Sequence, residues 1–402
     1  MRAASPITPV LQILADANIP LAERAFGAFG EVRTLNGREI TREALAGTNV
    51  LLVRSVTPVN AALVEGTSVR FVGTATAGTD HVDVDALDRL GIAFASAPGS
   101  NATSVVEYVI AALLAVASDR GEVMEGKTLG VVGAGHVGGR LVPRARALGM
   151  RVVASDPPLA AADAGHHPFV PLDTLLAEAD IVTLHTPLTG HTASAWPTAD
   201  LLGAEAFAEM QPDAWLVNAA RGDVVSTRAL RREVDRRPCV LDVWPDEPTP
   251  DLGLVRATAL GTPHIAGYAY DGKVRGTAML VAALRAWHPE AVETPDVEAE
   301  AAPARPLSVE APDGPVGTAA ERAAWLDALA RKTYDVRADD AAFREAMLAS
   351  GTEAAQAEAF TRLRKDYRQR REWARYGVRG HIPPVLLGAV EDGLGMRPET
   401  VR

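Results

Sequence analysis

The sequence is poor in cysteine, in aromatic residues and in positive charge. Cys239 is the single cysteine among 402 residues, which excludes an intrachain disulfide framework and suits a reducing cytoplasm. It opens the apolar run Cys239-Val240-Leu241, so we expect a small buried hydrophobic residue there rather than a nucleophile.

The shortage of positive charge restricts the partners. The net charge is -11, which argues against nucleic acid because phosphate backbones attract basic faces. A basic run between Arg362 and Arg375 is interleaved with Asp366 and Glu372, and it predicts the solvated face of an amphipathic helix. An anionic substrate stays compatible with this composition, since a few arginines in a cleft dominate the local field.

A long uncharged apolar run is also missing. The most apolar stretch, residues 105–117, contains Glu107 and is shorter than the roughly 20 residues that span a bilayer. Pro6 and Pro9 interrupt any apolar segment at the N-terminus, so no secretory signal is visible. We therefore expect no membrane partner and a cytoplasmic protein.

The chain is too long for one ordinary core, so two or three domains are expected. Short apolar runs alternate with amphipathic ones, which predicts parallel sheets with crossover helices. The predicted strands lie at residues 11–14, 50–53, 71–73, 128–132, 151–154, 181–184, 215–217 and 240–243, with a short run at 259–261. The predicted helices before the tail lie at residues 21–26, 84–90 and 105–117, with one more ending at Leu148.

The last part of the chain differs in composition. Residues 289–315 are rich in Pro, Ala and Glu and predict a linker. Residues 319–333, 341–349 and 353–376 predict helices of a separate small domain.

A dinucleotide fingerprint occupies Gly133-Ala134-Gly135-His136-Val137-Gly138, between an apolar strand and a helix. Its first glycine makes the turn, its second admits the pyrophosphate, and its third allows close helix–strand packing. Pro143 falls inside the following helix, so we expect a kink or a late start of that helix.

Three further residues at strand ends complete the predicted cofactor site. Asp156 lies eighteen residues after Gly138, where its carboxylate accepts hydrogen bonds from the ribose and repels a 2′-phosphate. NAD is therefore expected rather than NADP. Thr186 marks the turn for the adenosine half, and Asp242 is a candidate for the nicotinamide carboxamide.

Arg221, Glu247 and His264 follow the fingerprint in this order. A guanidinium clamps a substrate carboxylate, an imidazole moves a hydroxyl proton, and a carboxylate orients the imidazole. The set suits hydride transfer at a carbon that carries a hydroxyl beside a carboxylate, and it requires no metal.

These motifs resemble the D-2-hydroxyacid dehydrogenases. The similar segments are residues 218–222, 242–248 and 263–267, in the family's order and after its fingerprint. The resemblance implies two Rossmann-like doubly wound α/β domains with a cleft between them. The NAD domain, residues 99–266, would be inserted into a flavodoxin-like substrate domain made of residues 1–98 and a return segment, 267–288.

Further segments resemble the branch of this family that oxidises 4-phospho-D-erythronate in pyridoxal 5′-phosphate biosynthesis. They are residues 53–57, 73–83, 101–108, 156–158, 264–268, 334–337 and 371–373. That resemblance implies a linker at 289–318, a C-terminal α+β dimerisation domain at 319–402 and a homodimer. Ser100 and Ser226 depart from the family's usual cysteine and aspartate, away from the proposed chemistry.

Carried over by position, the resemblance assigns catalysis to Arg221, Glu247 and His264. Substrate contacts fall to Ser55, Thr76 and Tyr268, and we add Arg54 as a candidate for the substrate phosphate. Contacts to NAD fall to the fingerprint residues Gly133, Gly135, His136, Val137 and Gly138, and to Asp156, Thr186, Asp242 and Gly267.

Two alternatives remain open at this point. The substrate could be another 2-hydroxyacid such as 3-phosphoglycerate. The chain could also be an NAD-sensing corepressor of the same fold, since such sensors can retain the catalytic set.

Overall fold

Two units make up the structure, a computed structural model that describes residues 10–164, 168–190, 192–289, 293–305 and 307–399. The first unit contains Met1–Asn101 and Tyr270–Ala304, and the second contains Ala102–Ala269 and Arg305–Arg402. The separate domain predicted over residues 319–402 thus falls in the same unit as Ala102–Ala269.

The first unit is built on a five-stranded parallel sheet in the order β2-β1-β3-β4-β5. This is the order of flavodoxin-like folds, as expected. Its strands are β1 (Leu11–Asp16), β2 (Gly30–Leu35), β3 (Val50–Val53), β4 (Phe71–Thr74) and β5 (Ala93–Ala95). Its first helices are α1 (Ala22–Phe26), α2 (Ala61–Val64) and α3 (Val84–Arg89), and single 3₁₀ turns span Gly37–Glu39 and Glu43–Leu45.

The second unit has a six-stranded parallel sheet in the order β11-β10-β9-β8-β6-β7. An isolated parallel bridge between Ala154 and Phe169 extends it by one position. The strands are β6 (Thr128–Val132), β7 (Arg151–Ser155), β8 (Ile181–Leu184), β9 (Trp215–Asn218), β10 (Cys239–Leu241) and β11 (Leu260–Gly261). The strand order reverses beside β6, which is where doubly wound sheets bind dinucleotides.

Helices cover the second sheet, and a 3₁₀ turn spans Gly222–Val224. They are α4 (Ala102–Arg120), α5 (Gly138–Ala147), α6 (Pro157–Ala161), α7 (Leu172–Glu178), α8 (Ala204–Glu209), α9 (Thr227–Glu233) and α10 (Leu252–Ala257). The chain then returns to the first unit with α11 (Tyr270–Trp287) and α12 (Val297–Glu300). Leu280 and Leu284 of α11 pack against the core of the first sheet.

Helix α4 is longer than predicted. It has 19 residues and a hydropathy sufficient for a membrane span, but 83% of that apolar window is buried inside the structure. Its Tyr108, Val109 and Ala112 are fully buried. The apolar composition of α4 therefore reflects packing in a protein core.

Helix α5 begins directly at Gly138 and contains Pro143 in its interior. The alternative of a late start is therefore wrong. The backbone N–H groups of Arg140 and Leu141 both donate to the carbonyl of Val137, so the first turn is formed before the proline.

The tail adds a three-stranded parallel sheet in the order β12-β13-β14 and three helices. These elements are β12 (Leu307–Glu310), α13 (Ala319–Thr333), α14 (Val336–Leu348), α15 (Glu353–Lys365), β13 (Tyr376–Arg379) and β14 (Arg397–Pro398). Trp373–Arg375 and Pro384–Leu386 form 3₁₀ turns, and Ala389–Leu394 forms a π-helix.

Two predictions about the tail are wrong. The helix expected over residues 353–376 ends at Lys365, because the chain beyond it enters the core, where Arg370 and Trp373 are buried. The linker expected over residues 289–315 contains β12, whose partner β13 lies nearly seventy residues away and is invisible to local composition.

Candidate active site

The fingerprint turn connects β6 to α5 with three glycines in three different environments. Gly133 has a φ of +87°, and a Cβ there would lie 2.9 Å from the backbone of His185. A Cβ on Gly138 would lie 2.0 Å from the carbonyl oxygen of Gly133. A Cβ on Gly135 would meet nothing within 4 Å. The first glycine thus makes the turn, the second borders open space, and the third allows close packing, as the motif requires.

The open space at Gly135 fits a pyrophosphate. Gly135 and His136 are exposed and Val137 is half-buried, directly before the N-terminus of the ten-residue helix α5. The first N–H groups of a helix lack partners within it and attract anions. Phosphate oxygens of NAD would lie against these groups.

Asp156 follows β7 and lies beside the same turn. Its carboxylate accepts hydrogen bonds from the N–H of Ala134 at 2.8 Å and from the N–H of Leu159 at 3.0 Å. Asp156 therefore fastens the fingerprint and caps α6, two roles that the spacing alone does not reveal. A carboxylate has about four acceptor positions, so ribose hydroxyls have two left.

His185 and Thr186 follow β8 and contact the fingerprint from the other side. The Thr186 methyl group lies against Gly133, and the Thr186 hydroxyl is buried without a partner among the described residues. An orphaned buried hydroxyl here fits a bound cofactor. Burial lowers the pKa of His185 to about 3, so this ring is neutral.

Asp242 organises the loop that carries His264. Its carboxylate accepts hydrogen bonds from the hydroxyl of Thr262 at 2.6 Å, the N–H of Ile265 at 2.8 Å and the N–H of Ala266 at 2.9 Å. Burial raises the pKa of Asp242, although His264 and these bonds oppose the shift. One acceptor position remains for a carboxamide, so contact with nicotinamide stays a proposal.

His264 and Glu247 are hydrogen-bonded to each other. Nδ1 of His264 lies 2.8 Å from Oε2 of Glu247, and Oε1 of Glu247 accepts the N–H of Trp244 at 2.8 Å. Burial acts to raise the pKa of Glu247, but His264, this N–H and Arg364 together lower it, so the carboxylate is ionised. His264 has a φ of +57°, held by its N–H bond to the carbonyl of Asp242. The second ring nitrogen of His264 is left for a substrate.

Arg221 follows β9 and precedes Gly222. Its Nη1 donates to the carbonyl of Ala220 at 2.8 Å, and its own carbonyl accepts from Nδ2 of Asn218 at 2.9 Å. A Cβ on Gly222 would lie 2.2 Å from the carbonyl oxygen of Trp244. The loop that carries Arg221 therefore packs against the loop that leads to Glu247.

The tail contributes a contact to this region that was not predicted. Gly267 and Tyr268 lie in the loop after His264, and the phenol oxygen of Tyr268 accepts a hydrogen bond from Nε of Arg364 at 3.1 Å. Arg370, fully buried, donates to the carbonyl of Ala266 at 2.8 Å. The basic run between Arg362 and Arg375 is interleaved with acidic residues and therefore resembles a solvated helix face. The sequence pattern does not distinguish Arg364 and Arg370, whose side chains contact the loop after His264, from the exposed residues of the run.

The remaining candidates, Arg54, Ser55 and Thr76, belong to the first unit. Arg54 and Ser55 follow β3, and Thr76 follows the adjacent strand β4. The Thr76 hydroxyl lies 2.7 Å from that of Thr74 and donates to the carbonyl of Gly78 at 2.9 Å. Nη1 of Arg54 is buried and has no partner among the described residues, which is an unusual state for a guanidinium.

No group of three or more His, Cys, Asp or Glu side chains that could hold a metal occurs in the part of the chain that the structure describes. Cys239 is buried, as expected, and burial raises the pKa of its thiol to about 12.

Two segments of the chain match models of known protein families. Residues 114–266 match the family model described as D-isomer specific 2-hydroxyacid dehydrogenase, NAD binding domain, and residues 316–387 match a domain of unknown function, DUF3410. The first match confirms the predicted NAD-binding Rossmann domain.

Two relatives align over nearly the whole chain. The erythronate-4-phosphate dehydrogenase of Salinibacter ruber is 51% identical over 395 residues, 96% of this chain and 99% of the relative. That of Azotobacter vinelandii is 48% identical over 392 residues, 96% of this chain and 100% of the relative. Among solved structures, the TT0316 protein from Thermus thermophilus has a TM-score of 0.60 at 27% identity, covering 71% of this chain and 100% of that one.

Proposed function

Because the chain belongs to the family of erythronate-4-phosphate dehydrogenases, within the D-2-hydroxyacid dehydrogenases, we propose that it oxidises 4-phospho-D-erythronate at C2. The product is 2-oxo-3-hydroxy-4-phosphobutanoate, and the reaction is a step of pyridoxal 5′-phosphate biosynthesis. The observation that carries the proposal is the His264–Glu247 pair, 2.8 Å apart, in a unit with an NAD-binding fingerprint.

The roles of the residues follow from their contacts. His264 takes the proton of the C2 hydroxyl, and Glu247 holds the ring and stabilises the imidazolium that forms. Arg221 grips the substrate carboxylate with its planar fork. NAD, when bound, supplies the hydride acceptor for C2. Tyr268, Ser55 and Thr76 are the proposed further substrate contacts.

The proposed cofactor contacts are the fingerprint residues, Asp156, Thr186, Asp242 and Gly267. NAD is preferred to NADP because the Asp156 carboxylate would repel a 2′-phosphate. Asp156→Asn removes the charge, and its single amide oxygen can accept from the N–H of Ala134 or of Leu159 but not from both, so the melting temperature serves as the control for the scaffold. The ratio of KM for NADP to KM for NAD should fall in this variant, and an unchanged ratio would remove Asp156 from the selectivity.

The test of the proposed function is a substrate panel followed by NADH absorbance. The full chain should oxidise 4-phospho-D-erythronate with a kcat/KM far above that for 3-phospho-D-glycerate or D-erythronate. Preference for 3-phospho-D-glycerate would favour the second substrate, and NADH binding without turnover of any acid would favour the corepressor. A bacterial strain that lacks its own erythronate-4-phosphate dehydrogenase and needs pyridoxine should grow without pyridoxine when it expresses this chain.

Arg54 is the proposed phosphate contact of the first unit, on the ground of its buried, unpartnered Nη1. Phosphate favours several charge-assisted donors, and Ser55 adds a hydroxyl next to it. Arg54→Ala should raise KM for 4-phospho-D-erythronate far more than KM for D-erythronate. An equal rise for both acids would assign Arg54 to the fold or to the carboxylate.

We also propose a homodimer and a cytoplasmic location. The large apolar residues of the tail helices, Trp325, Leu329 and Trp373, are buried within the chain and Leu363 is half-buried, so they do not support a dimer. Support comes instead from Val385 and Leu387, which are 60% and 40% exposed next to an apolar pocket of about 450 Å³. Sedimentation should give a dimer that Val385→Glu weakens. A monomer at all concentrations would refute it.

A further inference from the structure

Arg364 on helix α15 has the environment of an anion-binding residue, and the inference below rests on the proposed function. Its Nε donates to the phenol oxygen of Tyr268 at 3.1 Å. Its guanidinium carbon lies 5.6 Å from the centre of the Tyr268 ring and 5.8 Å from that of Phe360. One hydrogen bond and two aromatic faces hold the orientation of the guanidinium before any ligand binds.

Three other arginines of the tail are paired with carboxylates, in contrast to Arg364. Arg337 pairs with Asp119 and Asp327, Arg344 pairs with Asp340, and Arg368 pairs with Asp339. Arg364 has no carboxylate within salt-bridge distance among the described residues, and its Nη1 and Nη2 donate to none of them. A half-buried guanidinium with an open fork thus lies beside a proposed substrate contact.

The charge of Arg364 is retained in this environment. Burial acts to lower the pKa of the guanidinium, but Tyr268, Glu247 and Asp242 raise it overall. The carboxylate of Glu247, which contributes to this pKa, is already bonded to His264 and to the N–H of Trp244. The fork therefore remains available to an external anion.

We infer that Arg364 binds the C4 phosphate of the substrate through Nη1 and Nη2, next to the contact that Tyr268 makes with the same molecule. The substrate has two anionic ends, and its C1 carboxylate is assigned to Arg221. The phosphate has the higher charge and matches a planar two-donor fork. The tail would then determine specificity for a phosphorylated acid, in addition to its part in the core.

The test compares Arg364→Ala and Arg364→Lys with the control Arg362→Ala, an exposed arginine two residues earlier on the same helix. Arg364→Ala should raise KM for 4-phospho-D-erythronate by about 10- to 100-fold and KM for D-erythronate by less than about 3-fold. Arg364→Lys should recover part of the loss, because it restores the charge without the fork. Arg362→Ala should leave both values unchanged.

Two outcomes would overturn the inference. An equal rise of KM for both acids would mean that Arg364 acts only by holding Tyr268, and an unchanged KM would mean that it acts on neither. Tyr268→Phe removes the acceptor of Nε together with a proposed substrate contact, so the rise of KM in this variant gives the upper limit of the holding effect. If Arg364→Ala unfolds at a lower temperature than wild type, the decision passes to Arg364→Lys, whose failure to separate the two acids would likewise refute the assignment.

A binding measurement separates this inference from the proposed function. Inorganic phosphate is titrated into the full chain saturated with NADH, and binding is followed by NADH fluorescence. Phosphate affinity that falls about 10-fold or more in Arg364→Ala supports the phosphate site, even if wild type fails to oxidise 4-phospho-D-erythronate. Equal phosphate affinity in wild type and variant refutes the site, even if wild type oxidises that acid rapidly.

Discussion

At the scale of single residues, the His264–Glu247 pair concentrates the proposed proton transfer in one ring. His264→Ala should lower kcat by roughly 100- to 10,000-fold, because the C2 proton must then leave to water. The Kd of NADH should barely change, since His264 is not among the proposed cofactor contacts. Stopped-flow rates and NADH fluorescence measure the two quantities, and near-normal turnover would remove His264 from the mechanism.

Glu247→Gln is the milder companion variant. It keeps one acceptor oxygen, which can serve either Nδ1 of His264 or the N–H of Trp244, and it removes the charge that stabilises the imidazolium, so the pH profile of kcat should move to lower pH as kcat falls. A profile that stays in place would mean that Glu247 only orients the ring.

Glu107 is a buried acid whose protonation should affect stability. Burial, with a further contribution from Glu372, raises the pKa of Glu107 to about 8, although its Oε1 accepts the N–H of Trp373 at 2.7 Å. In the unfolded chain this pKa is about 4.3. Between these two pKa values the folded state holds a proton that the unfolded state releases. The contribution of Glu107 to the free energy of unfolding is therefore complete below the pKa of the unfolded state and is lost as pH rises toward about 8.

The measurement is the free energy of unfolding in urea between about pH 5 and about pH 8.5. Wild type should lose a few kcal/mol over this range through Glu107, whereas Glu107→Gln keeps the acceptor for Trp373 and should show a flatter curve. The exposed Glu358→Gln is the control and should follow wild type. Parallel curves for all three proteins would show that Glu107 does not titrate in this range.

At the scale of elements, the fingerprint turn offers a contrast between two of its glycines. Gly135→Ala adds a methyl group in open space, so the free protein should melt at the wild-type temperature while its Kd for NADH rises. Gly138→Ala would force a Cβ to within 2.0 Å of the Gly133 carbonyl, so it should lower the melting temperature itself. Loss of stability in Gly135→Ala with unchanged NADH binding would contradict this division of roles.

The elements also show which parts of the fold are readable in the sequence. Buried parallel strands such as β3 and β8 are continuous apolar runs and were predicted within a residue. The edge strand β2 was missed because its side chains alternate between half-buried and exposed. Motifs fixed the candidate site at Arg221, Glu247 and His264, since their chemistry depends on residue type.

The contacts made by the tail were unreadable for a different reason. Arg364 and Arg370 belong to a run of charged residues, and only their partners distinguish them from a solvated face. Those partners, Tyr268 and the carbonyl of Ala266, lie about one hundred residues earlier in the chain. Local periodicity contains no information about such distant pairs.

At the scale of the whole molecule, the tail and the NAD-binding residues share one hydrophobic core. Trp325, Leu329 and Trp373 are buried in the same cluster as residues of α4 and strand β6. Polar contacts reinforce the packing, since the N–H of Gly261 donates to Asp340 at 2.7 Å and Arg370 donates to Ala266 at 2.8 Å. The segment that carries His264 is thus bonded to the tail at one residue before the histidine and at one residue after it.

In a chain that ends at Ala304, where the first unit ends, we therefore expect the stability of the NAD-binding residues to fall, in addition to any loss of dimer contacts. Removing the tail would expose α4, whose buried face is apolar over nearly its full length, so we expect a lower melting temperature, aggregation and weak NADH binding. Circular dichroism, light scattering and NADH fluorescence measure these effects, and the separately expressed tail added in trans serves as the rescue. A truncated chain that melts like wild type, stays monomeric in sedimentation and binds NADH normally would show that the tail is an independent appendage.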